Sequence, residues 1–313
     1  MKTNPIGNFI PRDLDPKVAE ILMKYSEFLE EIVNYGSNIM TWKPNDYLKG
    51  DEALPISLFL RNYLSYVDAC SILVKYSSIE PCNGLLRTSF ENLLYILYLI
   101  DDPYGQKGLS YIIWNAFEKK KILNKYDGTS NTYFELAEGF KKTVLFKDEM
   151  PPVLKDVDKF KENNKRLLDS NKYSAVVKEY YRTKNKAKGS LFYWYSMFDG
   201  PLKIRDLSTK LDLEPFYESL YKNWSSSTHG TSVIDGIVVA DENGIAQIYQ
   251  IRLPFDAETV TGLCTNLSVL LFSKYINAKH PEKQNEFKEW YTEFREETKI
   301  LLEKTLFLTK EIR

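Results

Sequence analysis

The chain has 313 residues, with 42 basic and 43 acidic side chains and a net charge of −1. That balance excludes the global positive field that draws proteins to nucleic acid or acidic membranes, so any such contact must come from a local patch. With 43 % hydrophobic and 27 % charged residues, the composition is that of a globular chain, long enough for one large domain or two ordinary ones.

Asp15-Pro16 opens a first helix, with an acceptor at the cap and proline at the first helical position. Val18, Ile21, Leu22, Tyr25, Leu29, Ile32 and Val33 follow at helical spacing, and Gly36 comes near the helix end. Residues 40–52 read as a loop. A second helix runs from about Pro55 to Tyr76, apolar on most sides and interrupted by Arg61 and Asp68. A third, opened by Pro81 and closed by Asp101-Asp102-Pro103, is apolar apart from Arg87, Glu91 and Asn92. Two such helices in succession predict an antiparallel hairpin at the centre of a bundle.

More amphipathic helices are expected over 104–126 and 130–146. Pro151-Pro152 breaks the chain, and the Lys-, Asp-, Glu- and Asn-rich stretch at about 150–190 reads as a charged helical insertion. Short helices are expected at 203–211 and 214–228. The β-rich segments 233–239 and 245–252 flank Asp241-Glu242-Asn243-Gly244, a hairpin signal. Long helices at about 256–278 and 281–309 complete the chain. The expected fold is all-α: a single helical domain over 1–313, built as a multi-helix bundle with one small β-hairpin at about 233–252.

The three cysteines, Cys70, Cys82 and Cys264, are odd in number and have no metal-type spacing, which fits a reducing cytoplasm and three small buried side chains. The amino terminus has no apolar stretch of the signal-peptide kind. The longest apolar run, Leu93–Ile100, is too short to span a bilayer, so no membrane partner is expected. The 22 Tyr and 17 Phe predict an aromatic core and a subunit contact, hence a homo-oligomer or a complex with a neighbouring-gene partner protein.

Side chains suited to chemistry concentrate in Trp224-Ser225-Ser226-Ser227-Thr228-His229-Gly230, behind a helix bearing Tyr217 and Tyr221. His229 is one of only two histidines and can move a proton near neutral pH. Ser226 lies three residues before it. The ordinary reading is a satisfied histidine and helix-end hydroxyls stopped by Gly230. No nucleophile elbow accompanies the pair, which disfavours a serine hydrolase. Arg87 and Glu91 lie one helical turn apart on one face, either as a structural ion pair or as the polar floor of a pocket. No His, Asp or Glu cluster has ligand spacing, and no metal or cofactor is implied.

Arg182, Lys184 and Lys186 follow Tyr180 and Tyr181, residue types that can stack on bases and neutralise phosphates. The ordinary reading is a solvated helix end. Residues Ile204 to Leu213, including Arg205, carry a faint helix-turn-helix pattern whose usual small residue and turn glycine are replaced by Ser208 and Asp212.

Arg87-x-x-x-Glu91, then Trp194, Ile204-Arg205-Asp206-Leu207, Leu211, Tyr217, Tyr221 and Ser226-x-x-His229-Gly230, in that order, resemble a bacterial family known as a domain of unknown function, number five-six-seven-seven. The resemblance covers roughly residues 55–275 and implies a helical fold without an established activity. More loosely, an all-α bundle with an Arg and a His resembles the HEPN superfamily, many members of which are metal-independent ribonucleases in toxin, abortive-infection and antiphage systems. In those, Arg and His lie about four to six residues apart on one helix. Here the basic residue near His229 is Lys222. That resemblance implies a ribonuclease effector with His229 as general acid/base, Arg87 stabilising phosphate charge, Glu91 orienting one of them and Arg182, Lys184 and Lys186 holding RNA. The alternative is a non-enzymatic module that recognises a small anionic ligand or a protein through a pocket around Arg87, Glu91 and His229, with Trp224, Tyr221 and Tyr217 in its walls.

Overall fold

The computed structural model describes residues 10–42, 50–143, 149–224, 238–240, 246–248 and 250–311. The fold is all-α. Its helices are α1 (Pro16–Thr41), α2 (Leu54–Lys75), α3 (Cys82–Ile100), α4 (Gln106–Lys125), α5 (Asn131–Lys141), α6 (Val157–Asp169), α7 (Ser174–Lys186), α8 (Ile204–Lys210), α9 (Glu214–Phe216), α10 (Ala257–Lys279) and α11 (Gln284–Glu311). Two three-residue strands, Val238–Ala240 and Ala246–Ile248, pair antiparallel with Val239 opposite Gln247. The turn expected at 241–244 lies outside the described residues. No helix among the described residues is long and apolar enough to cross a membrane.

The chain groups into two compact units. The first holds residues 1–47, 56–103 and 207–313, and the second 48–55 and 104–206.

In the first unit, α1 begins as its sequence dictates. The Asp15 side chain accepts from the backbone N–H of Lys17 at 2.8 Å and from that of Val18, and Pro16 occupies the first turn. Leu22, Tyr25, Leu29, Ile32, Tyr35 and Ile39 then form the buried stripe. The helix passes through Gly36 and continues to Thr41. Gly36 is there for contact, since a Cβ at that position would lie 2.4 Å from Leu64 Cδ2. Helices α1 and α3 both pack on α10, and Leu86, Phe90, Leu93 and Leu94 of α3 and Leu271 and Phe272 of α10 are buried. The Tyr63 hydroxyl on α2 bonds to Ser268 Oγ on α10 at 2.8 Å, so a fully buried phenol keeps a partner. Tyr35 stacks on Trp290 at 3.9 Å, and the Trp290 indole donates to Glu31 at 2.8 Å, fastening α11 to α1.

The second unit is built on α4. The charged 150–190 stretch carries a buried stripe of its own, Val157, Asn164, Tyr173, Val176, Tyr180 and Thr183. Phe117 stacks on Tyr180 at 3.8 Å, and the Asn164 amide donates to the Ala116 carbonyl at 3.0 Å. Helices α6 and α7 therefore supply core as well as charged surface. Gly108, in the first turn of α4, lets the 51–53 turn approach so closely that a Cβ would lie 2.1 Å from the Glu52 carbonyl oxygen.

Two buried carboxylates in this unit, Asp127 and Glu179, are tied down. Asp127 accepts from Lys161 and from the backbone N–H and hydroxyl of Thr129, which together hold its carboxyl down at about 2. Burial pushes Glu179 up, but Arg182, the Phe198 N–H and Thr183 outweigh it and leave its carboxyl below the usual range. A carboxylate with a lowered folded pKa gives stability that is present above the unfolded pKa and lost as pH falls through the folded one. The second unit is therefore expected to lose stability between roughly pH 4 and pH 2. Lys161→Met should flatten that loss, because Asp127 then titrates nearer its unfolded value. Circular dichroism through an acid titration checks this, and an unchanged slope in the variant refutes it.

Candidate functional site

Helix α3 carries Arg87 and Glu91 on one face, because residues four apart on a helix are neighbours. Their side chains pair at 3.5 Å between Nε and Oε1 and remain 22 % and 25 % exposed. Tyr221 completes the group. Its hydroxyl accepts from Arg87 Nη2 at 3.1 Å and donates to Glu91 Oε1 at 2.6 Å. The guanidinium carbon lies 5.1 Å from the centre of the Tyr221 ring, within cation–π range. Three side chains from two distant stretches of sequence thus form a closed network.

Tyr221 is presented by an unusual piece of backbone. Residues Glu214–Phe216 run into a π-helical turn, Tyr217–Tyr221. Such turns are rare and often accompany functional sites. The wider turn stacks Tyr217 on Tyr221, with ring centres 5.0 Å apart and planes at 21°. Phe90 of α3 also contacts the Tyr221 ring, with centres 5.9 Å apart and planes tilted by 46°. Tyr221 and Trp224 are buried, while Tyr217 is half-buried.

The electrostatics follow from these contacts. Burial, then the Glu91 carboxylate, push the Tyr221 phenol well above its ordinary value. Burial disfavours the Arg87 cation, but Tyr221 and Glu91 outweigh it and hold the guanidinium charged. At neutral pH the network contains a permanent cation and a neutral phenol that acts as both donor and acceptor.

Of the residues singled out from the sequence, the structure brings Arg87, Glu91, Tyr217 and Tyr221 together. Trp224 ends the described part of that segment, and Ser226 and His229 lie outside the described residues. Lys222 is paired with Glu218. Arg182, Lys184, Lys186 and Arg205 belong to the second unit. Arg182 is held by Glu179, through Nε at 2.6 Å, and by Asp199 at 3.0 Å, while Lys186 donates to Asp199 at 2.8 Å. Lys184 and Arg205 are exposed. His280 is buried at the end of α10, edge-on to Trp42 at 5.4 Å. Among the described residues, no three His, Cys, Asp or Glu side chains gather in a way that could hold a metal ion.

Sequence reasoning missed two features. The first is the bridging role of the Tyr221 hydroxyl. The second is the corner at Phe198 and Asp199, two consecutive non-glycine residues with φ of 54° and 57°. Left-handed backbone at such residues costs of order 1–3 kcal/mol each and persists only where the surroundings enforce it. Glu179 does so by accepting from the Phe198 N–H at 2.7 Å and from Thr183 at 2.8 Å. The Asp199-Gly200 pair was the available signal, and it reads only as a turn.

Fold and site together define an all-α protein with a polar and aromatic cluster on a central helix. Residues 53–245 match the family described as "Family of unknown function (DUF5677)", and the chain belongs to that family. The matched segment contains Arg87, Glu91, Tyr217 and Tyr221, while α1, α10 and α11 lie outside it. No curated protein and no solved structure matches the chain.

Proposed function

We infer that the chain is a recognition module whose site is the Arg87–Tyr221–Glu91 network, and that it takes a small anionic ligand with a planar group. The observation that carries this is the ring of bonds that fixes the Arg87 guanidinium, on a side chain that keeps about a fifth of its surface in contact with solvent. A cation fixed in place loses little conformational entropy on binding, and the stacked Tyr217 offers an aromatic face beside it. Nucleotides have both features and are the first compounds to test. Stabilisation of the full chain at a hundredfold excess over Kd is about 2.7 kcal/mol, a shift of several degrees in Tm. Tyr217→Ala is expected to keep the fold and to weaken the nucleotide response at least tenfold. An equal response in wild type and in Arg87→Met removes this reading.

A second reading, a metal-independent ribonuclease of stress or antiphage defence, is supported by Tyr221. That residue precedes His229 by eight positions and bonds to both Arg87 and Glu91. His229 would then move the proton for attack of a ribose 2′-hydroxyl on the adjacent phosphate, with Ser226 nearby in sequence. Against it, Arg182 and Lys186, which were to hold RNA, are engaged by Glu179 and Asp199. Expression in a bacterial host, wild type beside His229→Ala, with total RNA run on a gel, separates the two readings. RNA fragments that vanish in the variant establish the nuclease, and fragments that persist exclude His229 from the chemistry.

A further inference from the structure

Helix α2 buries Leu60, Tyr63, Leu64, Val67, Cys70 and Val74 in the first unit. Its opposite face carries Leu58, Arg61, Ser65, Asp68 and Ile72, all exposed, with Leu58 at 47 % and Ile72 at 52 %. At 3.6 residues per turn these five lie within a strip roughly 80° wide. Arg61 and Asp68 sit about 10.5 Å apart along the axis, too far to pair with each other. Neither side chain has a hydrogen-bond or ionic partner among the described residues. Two unpaired opposite charges between two exposed aliphatic side chains, with a small residue at the centre, form an unusual surface for a helix that otherwise faces a core.

The strip is its own complement. When two copies of α2 pack antiparallel about a two-fold axis at Ser65, Leu58 of one meets Ile72 of the other, and Ser65 meets Ser65. Arg61 meets Asp68 within one residue, about 1.5 Å, of the same register. Arg61 and Asp68 lie on the same edge of the strip, and a two-fold axis normal to the helix pair keeps that edge on one side. Both Arg–Asp pairs therefore form together, as an isologous contact requires. The short Ser65 side chain lets the two backbones approach at the crossing.

We propose that the exposed face of α2 is a self-association surface whose partner is a second copy of this chain. One helix pair covers less than the roughly 1,200–2,000 Å² of a standard stable interface, so the dimer is weak and concentration-dependent, with a Kd of order micromolar. The proposal is independent of the ligand site, because none of the five residues belongs to the Arg87–Tyr221–Glu91 network.

Sedimentation equilibrium of the full chain tests it. The wild-type mass is expected to rise with concentration from that of one chain, 36.6 kDa, toward twice that value. Arg61→Asp and Asp68→Arg should each weaken association at least tenfold, with unchanged circular dichroism, by setting like charges opposite one another. Combining the two should restore it, since the pair is merely exchanged. Ser65→Cys should cross-link to itself under mild oxidation, because the three native cysteines are buried and do not compete. A wild type that stays monomeric overturns the proposal, as does a dimer indifferent to Arg61→Asp or one that the exchanged pair fails to restore.

Discussion

Arg87→Met is expected to lower the stability of the first unit by about 2 kcal/mol, and Tyr221→Phe by somewhat more. The arginine change removes a hydrogen bond from a charged donor, worth roughly 1.5–3 kcal/mol. It also removes a cation–π contact of about 0.5–1 kcal/mol and a partly exposed ion pair worth little. The tyrosine change deletes one atom and two bonds, those to Arg87 and to Glu91, and leaves the two charges side by side. Because the three side chains share bonds, the variants should not add. A double-mutant cycle by urea denaturation is expected to give a coupling above about 0.5 kcal/mol. Additive losses would mean that the three side chains stand near one another without forming a unit.

Gly108→Ala is the most disruptive single methyl group we expect. Its Cβ would stand 2.1 Å from the Glu52 carbonyl oxygen and 3.0 Å from the carbonyl carbon. Backbone cannot swing aside as a side chain can, and the turn that carries Glu52 is tethered through Asp51 to Lys172 and Tyr173. The cost belongs at the upper end of overpacking, about 3 kcal/mol or more, even after the helix preference for alanine is credited. Gly139, inside α5, has nothing within 4 Å of its Cβ position. There the same substitution should stabilise by about 0.5–1 kcal/mol. Thermal unfolding of the two variants checks both signs at once, and a Gly108→Ala Tm equal to wild type would show that the 51–53 turn yields.

Much of the helical architecture was legible because local rules set it. Asp15-Pro16 starts α1, and the expected ends of α2 and α3 fall within a residue of the observed ones. Arg87 and Glu91 were paired on paper because i,i+4 spacing on a helix leaves little freedom. What stayed hidden depends on long-range packing. Tyr221 reaches Glu91 across 130 positions, and no periodicity encodes that. Asp199 neutralises Arg182 and Lys186 only because a left-handed corner turns it toward them, so a run that reads as basic is largely compensated. The buried stripe of α6 and α7 was masked by the charges around it. Gly36 reads in the sequence only as lying near the helix end, although the approach of Leu64 is what requires it.

The three thiols have a practical consequence. Cys70, Cys82 and Cys264 are all buried, on α2, α3 and α10, and close contact with one another together with burial pushes the Cys70 and Cys82 thiols far above their ordinary range. Thiolate is the reactive form, so the native protein should be almost inert to alkylation. The second unit contains no cysteine. The rate at which an alkylating reagent modifies the chain is therefore a clock for opening of the first unit alone, readable by mass without an added probe. Compared with amide hydrogen exchange, which registers both units, it reveals whether the chain opens as one cooperative body or as two.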